Sequence, residues 1–443
     1  MSWQNPGLFY LLHFSVVLMH NTTFRSGLSS MRFGAVIASL IILAGCGGGG
    51  GGGSTPVAGP PTPPPSNPPP VSGDDARRAV LADIGNEIIL PALQAFDTNA
   101  TGLQTATAAH AAAPTDAATK TAAQTAWNTA MDAWQRNEVL QVGPAGRSTN
   151  PDAVAGGQDF RDFIYSWPFT LDFCALEQAA LDGDAVTSAT PINITGLGAL
   201  EYLLYTDMAD ASCAAQPDAA ARAAHAERLA DRIALLATSL LGRWDPAGGN
   251  FLEQWSTAGE STSVVYPAPQ DALDALSVAL FYGEKITKDR KVAQPAGLPA
   301  TGLVCSQPIS CPEFLESPLS ERSGRNLIIN FETFRDVFTG LNGGMGMNEL
   351  LTGIDRDDLA TEIITGLDAA LVQLEAIEMT GGFDAAVAAI ANRDECVNAF
   401  SASSGVPPCA LLGFMKTAMD TFRGPIVASL NLAVPQTAAG DND

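Results

Sequence analysis

The sequence predicts an all-α chain of two packed helical bundles behind a disordered Gly/Pro linker, and three observations carry that prediction. From Asp74 onward apolar residues recur every three or four positions with little strict alternation, the period of an amphipathic helix. Alanine is dense throughout, which favours helix and lets helices approach closely. The stretch from Trp244 to Pro269, rich in Gly, Pro and Ser, divides the helices into two groups of bundle size.

Taken in order, residues 1–45 read as an upstream segment and a lipoprotein signal peptide. Met31-Arg32, the apolar run Phe33 to Leu43, and Leu43-Ala44-Gly45-Cys46 give a positive start, a short hydrophobic core, small residues and a cysteine. The run is too short to span a bilayer, and its ending resembles a bacterial lipobox, so Cys46 is the expected lipidated first residue of the mature chain. The earlier apolar stretch, Leu8 to Met19, has no basic residue before it, so translation is expected to start at Met31. Residues 46–73 add seven glycines and a proline tract, a spacer reaching at most about 80 Å from the membrane surface.

The folded part is expected as an N-terminal bundle, 74–245, and a C-terminal bundle, 265–435. The first holds helices Asp75–Phe96 with a kink at Pro91, Asp116–Leu140, Leu171–Leu181, Gly196–Tyr205 and Asp218–Leu241. The second holds Gln270–Lys288, Ser320–Phe338, Asp357–Glu378, Phe383–Phe400 and Ala410–Leu430.

Composition removes several function classes. With 47 acidic against 23 basic residues the formal charge is −24, so a nucleic-acid partner is not expected. Four histidines and no HExxH helix leave the standard zinc-protease machinery absent, and no phosphate-binding glycine loop occurs. Beyond an export signal the compartment is oxidising, so the six cysteines other than Cys46 are expected as disulfides. Neighbour pairing gives Cys174–Cys213, Cys305–Cys311 and Cys396–Cys409, one of 15 connectivities. A metal-thiolate alternative finds no CxxC.

The most distinctive segment is Thr195-Gly196-Leu197-Gly198-Ala199-Leu200-Glu201-Tyr202-Leu203-Leu204-Tyr205. It resembles the signature of the imelysin family, Gly-x-His-x-x-Glu followed by Tyr-Leu-Leu, with Gly198 where the family has His. Other segments resemble the family in the same order: Ala126-Trp127 to Ala133-Trp134 with Glu138 and Gly143-Pro144, then Ile164 to Pro168, then Ser320 to Ser323 with Asn326, Leu327 and Gly340. The resemblance implies a fold of two helical bundles with the signature helix near their junction, and a periplasm-facing, outer-membrane lipoprotein linked to iron acquisition, in contact with an iron-uptake envelope protein. It also carries an older metallopeptidase label.

In the family motif His and Glu three residues apart share one helix face, as in Glu-x-x-His metal sites of bundles. Without the imidazole, Glu201, Glu138 and Tyr205 could still offer hard oxygen ligands to iron or another divalent or trivalent metal. Each residue also has a structural reading. Trp127, Met131 and Trp134 fall at core spacing, and Glu138 extends that stripe, either at a helix end in water or buried with a partner. Glu201 sits among leucines, so a buried carboxylate is expected, partnered by Arg322, Arg161 or a metal. His110 and His225 read as surface residues, and Gly198 suggests that something approaches the backbone. Three functions follow: a metal- or partner-binding protein of iron acquisition, a metallopeptidase, or a scaffold that has lost its metal.

Overall fold

The computed structural model describes residues 73–149, 153–168, 170–298, 309–392, 396 and 404–438. The expected signal, lipidation site Cys46, spacer residues 46–72 and Cys305 lie outside them; the helix expected over Phe383–Phe400 covers only Phe383–Ala388 and gives way to turn and loop at 389–392, with its far end outside the described residues. Among the described residues there is helix, turn and loop, and no strand.

The chain enters through α1 (Asp74–Asp83), a π-helical segment (Ile84–Ile89) and α2 (Leu90–Ala112). The kink expected at Pro91 is realised as this π-segment immediately before it. Proline lacks an N–H and its ring crowds the carbonyl four residues back, and one wider turn relieves both. The same device recurs around Pro425, where a π-segment (Phe422–Ile426) joins α14 (Pro407–Thr421) to α15 (Val427–Leu430). Between them run α3 (Ala117–Val139), α4 (Phe160–Ile164), α5 (Phe173–Asp182), α6 (Gly196–Tyr205), α7 (Ala219–Trp244) and α8 (Phe251–Ser256). Next comes α9 (Pro269–Tyr282) with a π-helical extension (Gly283–Ala293), then α10 (Ser323–Thr339), α11 (Met347–Thr352), α12 (Asp357–Met379) and α13 (Phe383–Ala388). Asp116, Asp172 and Asp218 start α3, α5 and α7 by accepting the N–H of Ala118, Ala175 and Ala221, donors the first turn would leave unpaired.

Helix α2 packs between α3 and α7, and α6 lies on α7 and α3. In the other group α12 packs against α10 and α14, and α14 against the π-extension of α9. The groups are joined by α3 against α9 and α10, by α1 against α9 and α11, and by the first π-segment against α10. The hydrophobic core is continuous through both. Trp127, Trp134, Trp244 and Trp255 are fully buried in it, each burial contributing about 1.5–3 kcal/mol or more of apolar transfer.

The stretch Trp244 to Pro269, expected as a divider, holds α8, whose Trp255 donates its indole N–H to the Leu81 carbonyl at 2.7 Å. It therefore packs onto the N-terminal group, against α1, the first π-segment and α7. Cys174–Cys213 and Cys396–Cys409 are bonded as expected, with Cα atoms 5.0 and 4.7 Å apart. Cys311 is also disulfide-bonded.

Candidate functional site

Helix α6 is anchored before its chemistry begins. Gly196 has φ of +77°, and a Cβ there would stand 2.5 Å from the Ile164 carbonyl oxygen, so only glycine lets α6 start against the end of α4. The Trp127 indole donates to the Leu197 carbonyl at 3.0 Å, fixing α6 to α3. The helix is buried along nearly its whole length because it sits where α3, α7 and the loop before α10 converge.

From this helix Glu201 points at the start of α10. One carboxyl oxygen accepts the Ser320 backbone N–H at 3.0 Å and the Ser320 hydroxyl at 2.7 Å. No cation pairs with it among the described residues. Burial pushes its pKa up to about 8; the Ser320 bonds oppose the shift, and the carboxylates of Glu316 and Asp384 reinforce it. At pH 7 this carboxyl is therefore mostly neutral. Beside it Asp384 of α13 accepts from the Ser323 hydroxyl at 2.8 Å and is itself raised to about 6, chiefly by burial. Two carboxyl groups, one from each helical group, thus hold the serines that open α10.

Glu138 lies deeper and is bound differently. Its carboxylate accepts the Trp134 indole at 2.5 Å and the Arg161 guanidinium at 3.3 and 3.1 Å, and all three side chains are buried. Nearby, Glu316 accepts from Gln135 at 2.8 Å and Tyr165 at 3.1 Å and pairs with Lys291 at 2.8 Å. The Lys291 ammonium also donates to Gln135 and Asn330 and lies over the rings of Trp167 and Tyr282. Burial lowers its pKa, against the pull of Glu316 and Glu138.

The expected ligands are thus each engaged by protein: Glu138 by Arg161 and Trp134, Glu201 by Ser320, and Tyr205 by Asn128, to whose amide oxygen its hydroxyl donates at 2.7 Å. Burial raises the Tyr205 phenol to about 12. Among the described residues no three of His, Cys, Asp and Glu gather closely enough to hold a metal ion. The side chains present therefore do not fit a resident metal centre in this arrangement.

Several partners differ from expectation. Arg161 belongs to Glu138, and Arg322 pairs with Asp132 of α3, so neither serves Glu201. The histidines expected at the surface are buried: His110 beside Thr119, and His225 beside Arg228 with its pKa lowered to about 4 by desolvation. Both sit on alanine-rich helices whose small side chains let neighbours close over them. At Gly198 the backbone is not crowded; the nearest atom to an added Cβ is Cε2 of Tyr165, at 3.8 Å. Ser320 falls in a segment that resembles the family but was not expected as a partner of Glu201, and Asp384, Glu316 and Lys291 carry no sequence signal as site residues, because their proximity to α6 comes from long-range packing.

A family model described as Imelysin, which carries the peptidase label, matches residues 89–402. Among solved structures, an imelysin-like protein from Psychrobacter arcticum is similar with a TM-score of 0.60 at 13% identity, covering 82% of this chain and 98% of its own. A protein from Parabacteroides distasonis described as an iron-regulated protein A precursor gives a TM-score of 0.57 at 16% identity, covering 81% and 94%. No curated protein matches. The buried glycine-started helix, its carboxyl and the matched span together place this chain in the imelysin family.

Proposed function

We propose that this chain is an outer-membrane lipoprotein, facing the periplasm, that serves iron acquisition by binding a partner protein of the uptake machinery at the junction around Glu201. The leader, with Met31-Arg32, the apolar run and Cys46, supports export and tethering. The iron-regulated description of the Parabacteroides neighbour supports the process. The observation that carries the reading is Glu201 itself: a buried carboxyl, held neutral by desolvation and joined only to Ser320, at the seam between the two helical groups. Burying such a group is costly, and it can trade its Ser320 bonds for those of an incoming ligand.

A second reading has one observation in its favour. Glu201 lacks a cation, and Tyr205 lies one turn along the same helix, so the pair could offer oxygen to a hard ion such as ferric iron once their protein partners give way. The peptidase reading needs a water-activating metal held by about three ligands, and no observation favours it. Elemental analysis of protein purified from periplasm separates the readings. Iron well below one equivalent is expected for partner binding. One equivalent of iron, lost in Glu201→Gln, would establish the metal reading instead.

A further inference from the structure

Away from Glu201, α2 and α3 on one side and α10 and α12 on the other leave a groove of about 930 Å³. It is large enough for a short peptide segment and shares no lining residue with the site above. Its floor and wall are apolar, including Ile88, Leu140 and the exposed Val372, which is 66% accessible. Its rim is acidic: Glu87, Glu332, Asp336, Asp368 and Glu375. The two arginines in the lining are already committed, Arg136 to Asp336 at 3.1 Å and Glu332 at 3.6 Å, and Arg335 to Asp368 at 2.5 Å. Glu87 is met only by the neutral Asn342 amide at 2.9 Å, and Glu375 has no ion-pair partner among the described residues. Burial raises the pKa of Asp336 in spite of Arg136, as expected where water is partly excluded.

We infer that this groove docks a cationic amphipathic segment of another protein, apolar residues on the floor and Lys or Arg against Glu87 and Glu375. Charge complementarity selects the occupant. A second copy of this chain would bring a formal charge of −24 to an acidic rim. The chain's own spacer, residues 47–73, contains no Lys or Arg, so it cannot supply the cations. An amphipathic basic segment satisfies floor and rim together, in the manner of helix-in-groove recognition.

The inference is independent of the role given to Glu201, and the test keeps the two apart. The full chain is titrated with a fluorescent peptide of about twelve residues carrying leucines on one face and lysines on the other. Three variants accompany it: Glu87→Lys with Glu375→Lys in the groove, Asp182→Lys with Asp184→Lys on an exposed turn far along the sequence, and Val372→Asn. The two double variants change net charge equally, so long-range attraction alone would affect both alike. Groove reversal is expected to weaken binding roughly tenfold or more, and the distant reversal less than about twofold. Val372→Asn should weaken it with no change in charge, and Glu201→Gln should leave it unchanged. Equal loss in both reversals, no binding by native protein, or full displacement by spermine at matched charge would overturn the inference.

Discussion

Glu138 and Glu201 are both glutamates on buried helices of the same core, yet the fold solves the problem of burying them in opposite ways. Glu138 is paired with a buried arginine and an indole N–H. Glu201 receives two neutral donors from one serine and gives up its charge instead. An ion pair removed from water is costly to break, because whichever partner remains is left charged in a poor solvent. A neutral carboxyl can exchange its partners cheaply. The comparison therefore sets a pair whose rupture strands a charge at the junction against a carboxyl whose bonds can be exchanged, which is what the proposed role of Glu201 requires.

The largest expected effect tests the first half. Arg161→Met should cost about 3–5 kcal/mol, since Glu138 would stay buried without its counter-charge. Adding Glu138→Gln should recover much of that loss by removing the stranded charge. Denaturant unfolding measures both. A loss below about 1 kcal/mol for Arg161→Met would place this pair with ordinary surface bridges and erase the contrast.

Next comes the backbone that aims Glu201. Gly196→Ala places a Cβ against the Ile164 carbonyl at a left-handed φ, and should cost about 1–3 kcal/mol. It should also move Ser320 out of bonding range of Glu201, readable as a further rise in the carboxyl pKa by difference infrared titration, because the Ser320 bonds hold it down. Normal stability with an unchanged titration would show that α6 can start without the glycine.

A smaller effect sharpens the second half. Because the fold must take up a proton to keep Glu201 neutral at pH 7, Glu201→Gln, which needs none, should be less destabilising there than at pH 4. The sign of its pH dependence follows from the raised pKa. The folded state binds a proton more tightly than the unfolded state does, so the stabilising contribution is complete below about 4.5 and is lost as pH rises toward about 8. The difference in Tm between native protein and Glu201→Gln should therefore shift against the native protein across that window. A constant difference would mean that Glu201 is ionised in the fold.

The contrast between the two glutamates was only half legible in the sequence. Helix positions followed from period and alanine content, and the signature segment stood out by residue identity and spacing. Disulfides Cys174–Cys213 and Cys396–Cys409 followed from neighbour pairing. Helices α4, α8 and α11, of five or six residues, are too short to show a period. Partner choice was illegible for a deeper reason: Arg161 and Arg322 were equally available to Glu201 in one dimension. Packing of α3 against α10 then gave Arg322 to Asp132 and left Ser320, a residue with no charge to advertise it, at the carboxyl.

The finest test adds what the family motif has and this chain lacks. Gly198 lies three residues before Glu201 on α6, and a Cβ there meets only the edge of the Tyr165 ring at 3.8 Å, an ordinary contact. Gly198→His should therefore fold, and replacing a mid-helix glycine should cost no helix propensity. Its imidazole adds a borderline ligand on the face of a carboxyl that has no cation of its own. Calorimetric titration should show zinc binding at least about tenfold tighter than in native protein, and tighter at pH 8 than at pH 6, because the metal must displace the Glu201 proton. Combining Gly198→His with Glu201→Gln should abolish both the gain and its pH dependence. Tight zinc binding by native protein, or an intact Gly198→His variant with unchanged affinity, would show that helix α6 is not a metal motif awaiting its histidine.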